Sequence, residues 1–155
     1  MISQFEGLSV AEQKLLYQVP ALVTVLIAGA DGQIDNTELQ EAIQVTKRKQ
    51  ITARKDLVDY YEEVAKTFEN DIQELISSLP QEPEARTQAL VSHLEELNSV
   101  LPKLDKAFAI KFYASMKDLA KKVAESSGGF LGYLAVGFEE AQLMGLDMVT
   151  NPETY

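Results

Sequence analysis

The chain has 155 residues, 46% of them hydrophobic, no cysteine and a formal net charge of −10. That length and apolar content suit one domain, residues 1–155, built on one core. The lack of cysteine excludes a disulfide framework, a thiolate nucleophile and a cysteine-ligated zinc site, and fits a reducing, cytoplasmic setting, while the negative field argues against nucleic acid as a partner.

The first residues, MISQFEGLSVAEQ, lack the basic start and apolar core of a secretory signal. Ser9 followed by Glu12 is a capping-box pattern, so a helix is predicted from Val10. Pro20 is expected to end or kink it. A second helix then carries Leu22, Val23, Leu26 and Ile27 inward and stops at Gly29-Ala30-Asp31-Gly32, where glycine permits backbone angles that other residues resist. The apolar run from Pro20 to Ala30 is shorter than the roughly 20 residues a membrane span needs, so no direct membrane insertion is predicted.

Asp35 followed by Glu38 is a second capping-box pattern and opens a helix through about Arg48. The basic cluster Lys47, Arg48, Lys49, Arg54 and Lys55 falls at the end of that helix and in the next connection, where cations complement the helix dipole. From near Thr52, a long helix places Leu57, Tyr61, Val64, Phe68, Ile72, Leu75 and Leu79 on one stripe. Leu79-Pro80-Gln81-Glu82-Pro83 ends it.

A helix from about Glu84 to Ser99 presents Leu90, Leu94 and Leu97, with Leu101 continuing the face. Pro102 is placed at the start of the next helix, where its missing N–H costs nothing. That helix buries Leu104, Phe108, Phe112, Met116, Leu119 and Val123, and Ser126-Ser127-Gly128-Gly129 stops it. A connection with apolar Leu131 to Val136 leads to a last helix, Phe138 to about Val149, and a frayed tail at 150–155. The expected architecture is all-α, a compact bundle of six to seven helices.

The acidic turn between the second and third helices carries the most chemistry. Ala30-Asp-Gly-Gln-Ile-Asp-Asn-Thr-Glu-Leu39 matches the second half of an EF-hand calcium loop, with Asp31 at the fifth position, Gly32 at the sharp turn, Asp35 at the ninth and Glu38 at the bidentate twelfth. Ile27 and Gly29 stand where the first two carboxylates belong. The same residues also make ordinary turn and capping chemistry, with Asp35 and Glu38 closing a helix end without any metal.

A helix ending in Ala-Asp-Gly-x-Ile-Asp with Glu three residues on resembles the signature of the tellurite-resistance TerB-like family. Val123-Ala-Glu-Ser-Ser-Gly-Gly-Phe-Leu-Gly132 resembles a glycine-rich turn found in part of that family. The two stretches cover about an eighth of the chain. The resemblance implies a helical module of two similar halves, a link to stress resistance, and a protein partner within a metal-dependent, membrane-associated assembly. Asp31, Asp35 and Glu38 carry over as candidate ligands for Ca²⁺ or Mg²⁺. A faint repeat aligns Ala28, Asp31 and Gly32 with Ala124, Ser127 and Gly128, and points to Glu139 or Glu140 as the counterpart of Glu38. Ser127 replaces the acidic residue expected at the second turn.

His93 is the only histidine, so a three-histidine zinc centre is impossible. No activated nucleophile or acid–base pair emerges from the spacing, and the chain is not expected to be an enzyme. Two functions remain: a cation-responsive stress module, or a metal-free interaction or scaffold domain.

Overall fold

The computed structural model describes residues 2–30, 34, 36–52, 55–126 and 143–155. Five helices of 13 to 24 residues dominate: α1 (Val10–Ala28), α2 (Asn36–Thr52), α3 (Lys55–Ser78), α4 (Pro83–Glu95) and, after a single helical turn α5 (Leu97–Val100), α6 (Lys106–Ser126). The described residues include no strand. The fold is all-α, with one long helix fewer at its N-terminal end than the sequence led one to expect.

That difference comes from Pro20, which neither ends nor visibly divides α1; the helix runs through it for 19 residues. Proline has no N–H, so the Leu16 carbonyl loses its partner four residues on, a defect costing about 3 kcal/mol in a helix interior. The Tyr60 hydroxyl of α3 supplies the missing donor at 2.6 Å from the Leu16 oxygen. Thr24 then donates its hydroxyl to the Pro20 carbonyl at 2.8 Å. A tertiary contact thus replaces a local one.

α1 begins with a closed capping box: Ser9 Oγ accepts from the Glu12 N–H at 3.1 Å and Glu12 returns the bond to the Ser9 N–H at 2.9 Å. From Leu15 nearly every α1 residue is buried, because α3, α6, α2 and α4 all pack on it. By length and composition α1 is apolar enough to cross a membrane; in this fold it is the core helix. Around it, Phe5 from a short 3₁₀ turn (Ser3–Phe5) meets Tyr17, Tyr60 and Phe108 edge-on, and Tyr60 meets Phe112. Buried residues from the first turn to Val149 form one contiguous core.

The stripes read from the sequence are the buried ones. Leu57, Tyr61, Val64, Phe68 and Ile72 are buried on α3, with Leu75 and Leu79 half-buried at its end. Leu90, Leu94, Leu97 and Leu101 are buried, as are Leu104, Phe108, Phe112, Met116, Leu119 and Val123. Pro102 lies in a 3₁₀ turn (Leu101–Lys103) and not at a helix start; α6 is opened instead by Asp105, whose carboxylate accepts from the Phe108 N–H at 3.1 Å.

The last helix and the frayed tail also need correction. Residues 144–149 form turns, with Leu146 and Val149 buried. Tyr113 of α6 donates to the Gly145 carbonyl at 3.2 Å, and Asn98 brackets the Met148 carbonyl (3.0 Å) and the Thr150 N–H (2.8 Å). Residues 152–154 close a 3₁₀ turn capped by Asn151, with Pro152 buried. The expected Phe138 to Gln142 part of that helix and the Leu131 to Val136 connection lie outside the described residues.

Candidate functional site

The acidic turn starts where α1 stops. Ile27 and Ala28 are fully buried helix residues, so the first half of an EF-hand loop is absent in shape as well as in ligands. Gly29 continues the ladder, its N–H reaching the Val25 carbonyl at 3.0 Å, and its φ of −103° is open to any residue. Glycine is needed there for another reason. Arg86 of α4 donates to the Gly29 carbonyl at 3.0 Å, and a Cβ on Gly29 would lie 2.9 Å from the Arg86 Nη2 and 3.2 Å from the Val25 oxygen.

Asp31, Asp35, Glu139 and Glu140 lie outside the described residues, so of the five candidate ligands the structure places only Glu38. It sits in the first turn of α2 and is 1% exposed. Among the described residues, no three His, Asp or Glu side chains gather as a metal-binding set. Ala28 and Ala124, the matched residues of the faint repeat, are both buried near the ends of α1 and α6, which pack together.

Glu38 and Arg86 are the two charged residues buried among those described. Arg86 is held in the first turn of α4, where its N–H bonds the Glu82 carbonyl at 2.9 Å and the Glu82 carboxylate caps the helix. Its guanidinium lies at the C-terminal end of α1, where the helix dipole favours a cation. The sequence held a signal for it: Arg86 stands four residues before Leu90 and eight before Leu94, on the buried stripe.

A second polar cluster joins α2, α3 and α6. Lys49, placed by the sequence in the basic cluster at the end of α2, has a side chain only 13% exposed. Its ammonium reaches Asp118 at 3.1 Å and Ser115 Oγ at 3.3 Å, and lies 5.5 Å from the centre of the Tyr61 ring. The Tyr61 and Ser115 hydroxyls share a buried hydrogen bond. Burial alone would raise the Asp118 carboxyl, but its bonds to Lys122 (2.9 Å) and Lys49 outweigh that and hold it below its ordinary value. Burial pushes the Tyr61 hydroxyl well up. The cluster braces three helices as a polar pin. Lys47 and Arg48 are exposed, the latter paired with Glu41 at 3.0 Å.

His93 is partly exposed on α4, 3.7 Å from Glu96, as a lone helix histidine is expected to be. No known family model, curated protein or solved structure matches the chain.

Proposed function

We propose that this chain is a non-catalytic, TerB-like helical module of a stress-related assembly, and that its acidic turn takes a hard divalent cation, Ca²⁺ or Mg²⁺, weakly. The observation that supports this is the burial of Glu38. Glu12 occupies the same position in the first turn of α1, and it is only partly buried while it bonds the Ser9 N–H. Glu38 is buried, with 1% exposure. A carboxylate taken that far from water needs donors or a cation to offset its desolvation. All-oxygen ligands suit a hard ion. Asp31 and Asp35 are the residues that would join Glu38 around it, with Glu139 or Glu140 from the second matched stretch.

A metal-free scaffold is the second reading, and Arg86 favours it. A buried guanidinium on the Gly29 carbonyl already brings a positive charge to the head of the turn.

A calcium titration followed by thermal melting separates the two, with sodium chloride at matched ionic strength as the control for simple screening. The missing first half of the loop implies a Kd of about 10⁻⁴ M or weaker. Millimolar calcium is then expected to raise the melting temperature, because a ligand bound only by the folded state stabilises it by mass action. Asp31→Asn is expected to abolish the rise while leaving metal-free stability nearly unchanged. A melting curve that calcium leaves unmoved, with unmoved amide signals from Asp31 to Glu38, decides for the scaffold.

A further inference from the structure

Residues 144–155 lie against α5 and α6 as a series of turns ending in the 3₁₀ turn Pro152–Thr154. Their backbone bonds are local: the Leu146 N–H reaches the Leu143 carbonyl at 3.0 Å, Val149 the Leu146 carbonyl at 3.0 Å and Thr154 the Asn151 carbonyl at 2.9 Å. Among the described residues, no backbone-to-backbone hydrogen bond ties this segment to α5 or α6. The ties are side chains: Asn98 on the Met148 carbonyl and the Thr150 N–H, Tyr113 on the Gly145 and Leu146 carbonyls, and Lys106 on the Tyr155 carbonyl. Leu146, Val149 and Pro152 are buried beneath.

Two features set this segment apart from the helical core. Leu146 has a φ of 50°, and among the described non-glycine residues it alone lies in the left-handed region. There a Cβ crowds the neighbouring carbonyl, so the conformation is strained and persists only while the surroundings hold it. A crevice of about 310 Å³ also runs between α6 and the last turn, lined by Ile110, Tyr113, Ala114 and Lys117 on one side and by Asn151 and Glu153 on the other. The seam is therefore open along part of its length, unlike the close-packed interior.

We infer that residues 144–155 form a strap that releases as one unit from an intact helical core. Release breaks no rung of a helix ladder, because the strap's backbone bonds are its own. It also relieves the strained Leu146. What opposes release is a few side-chain bonds and three buried side chains, whereas α1 is covered by four helices. Segments held this way open locally at a free energy below that of global unfolding. Release bares the Tyr113 side of α6 while α1 stays buried, so the strap gates that surface.

The test is native-state amide hydrogen exchange on the full chain, read by NMR where exchange reports the opening equilibrium. The amides of Leu146, Val149, Thr150 and Thr154 are expected to share one opening and to exchange about a hundredfold or more faster than the slowest amides of α1. Asn98 is exposed, so Asn98→Ala leaves the core packing in place while it removes two hydrogen bonds to the strap. It is expected to speed all four amides together, roughly tenfold or more, with the slowest α1 amides unchanged. Strap amides that exchange as slowly as those of α1, or as fast as an unfolded chain, overturn the proposal. So does an Asn98→Ala effect that is absent or confined to Thr150, whose N–H loses its own acceptor. An equal loss of protection in α1 overturns it too, because the strap then opens only with the core.

Discussion

The contact between Tyr60 and the Leu16 carbonyl makes a sharp quantitative prediction. Tyr60→Phe removes one hydroxyl from a fully buried ring and leaves the Leu16 oxygen without the donor that replaces the Pro20 N–H. Leaving a buried acceptor unsatisfied costs about 1 to 3 kcal/mol. In a domain of this size, 2 kcal/mol corresponds to a fall in melting temperature of about 4 to 8 °C. Pro20→Ala restores an N–H four residues after Leu16, so in that background Tyr60→Phe is expected to cost well under 1 kcal/mol. The loss of the buried proline ring lowers stability in both arms of the cycle and cancels from the coupling term. Urea denaturation of the four proteins measures that term, expected to be about 1 kcal/mol or more. A Tyr60→Phe cost that is the same in the parent and in the Pro20→Ala variant refutes the account of how α1 passes through its proline.

Three further outcomes follow from the same geometry. Gly29→Ala should destabilise by about 1 to 2 kcal/mol, because the added Cβ displaces Arg86 from the carbonyl by more than reduced chain entropy returns; a variant as stable as the parent contradicts this. The Asp118 carboxyl is depressed in the folded state, so its contribution is present at neutral pH and lost as pH falls below the ordinary value of 3.8; Asp118→Asn should flatten that part of the acid stability profile. Tyr60 and Tyr61 are raised by burial, so their contribution holds below pH 10.0 and declines above it as the unfolded chain ionises. Absorbance at alkaline pH should therefore show two of the six tyrosines ionising only as the chain unfolds.

The helical stripes were legible because burial in a helix follows its period: residues from Leu57 to Ile72 recur every three or four positions and face the same way. Pro20 was misleading because the rule against proline is local, whereas its remedy lies on another helix, forty positions along the chain. The tail was underestimated for a similar reason, since Asn98 holds the Thr150 N–H and Lys106 the Tyr155 carbonyl from elsewhere in the sequence. Lys49 was read as a cation complementing the helix dipole, and only the packing of α2 on α6 brings Asp118 to it. Arg86 stood in plain view on an apolar stripe, but its partner is a backbone carbonyl, which leaves no mark in the sequence. The spacing of Asp31, Asp35 and Glu38 is equally suited to a helix start and to a cation. The burial of Glu38 adds a physical cost that the spacing does not contain.

The central position of α1 also bears on how the chain is made. Its hydrophobic partners arrive late: α3 begins 27 residues after α1 ends, and α6 is complete only at Ser126. At about 5 to 20 residues per second, a ribosome needs roughly 5 to 20 s to go from Ala28 to Ser126. For that interval the most apolar of the described helices has no α6 to cover it, and its Leu16 carbonyl must wait for Tyr60. The dependence of α1 on contacts distant along the chain makes its burial a late event in folding.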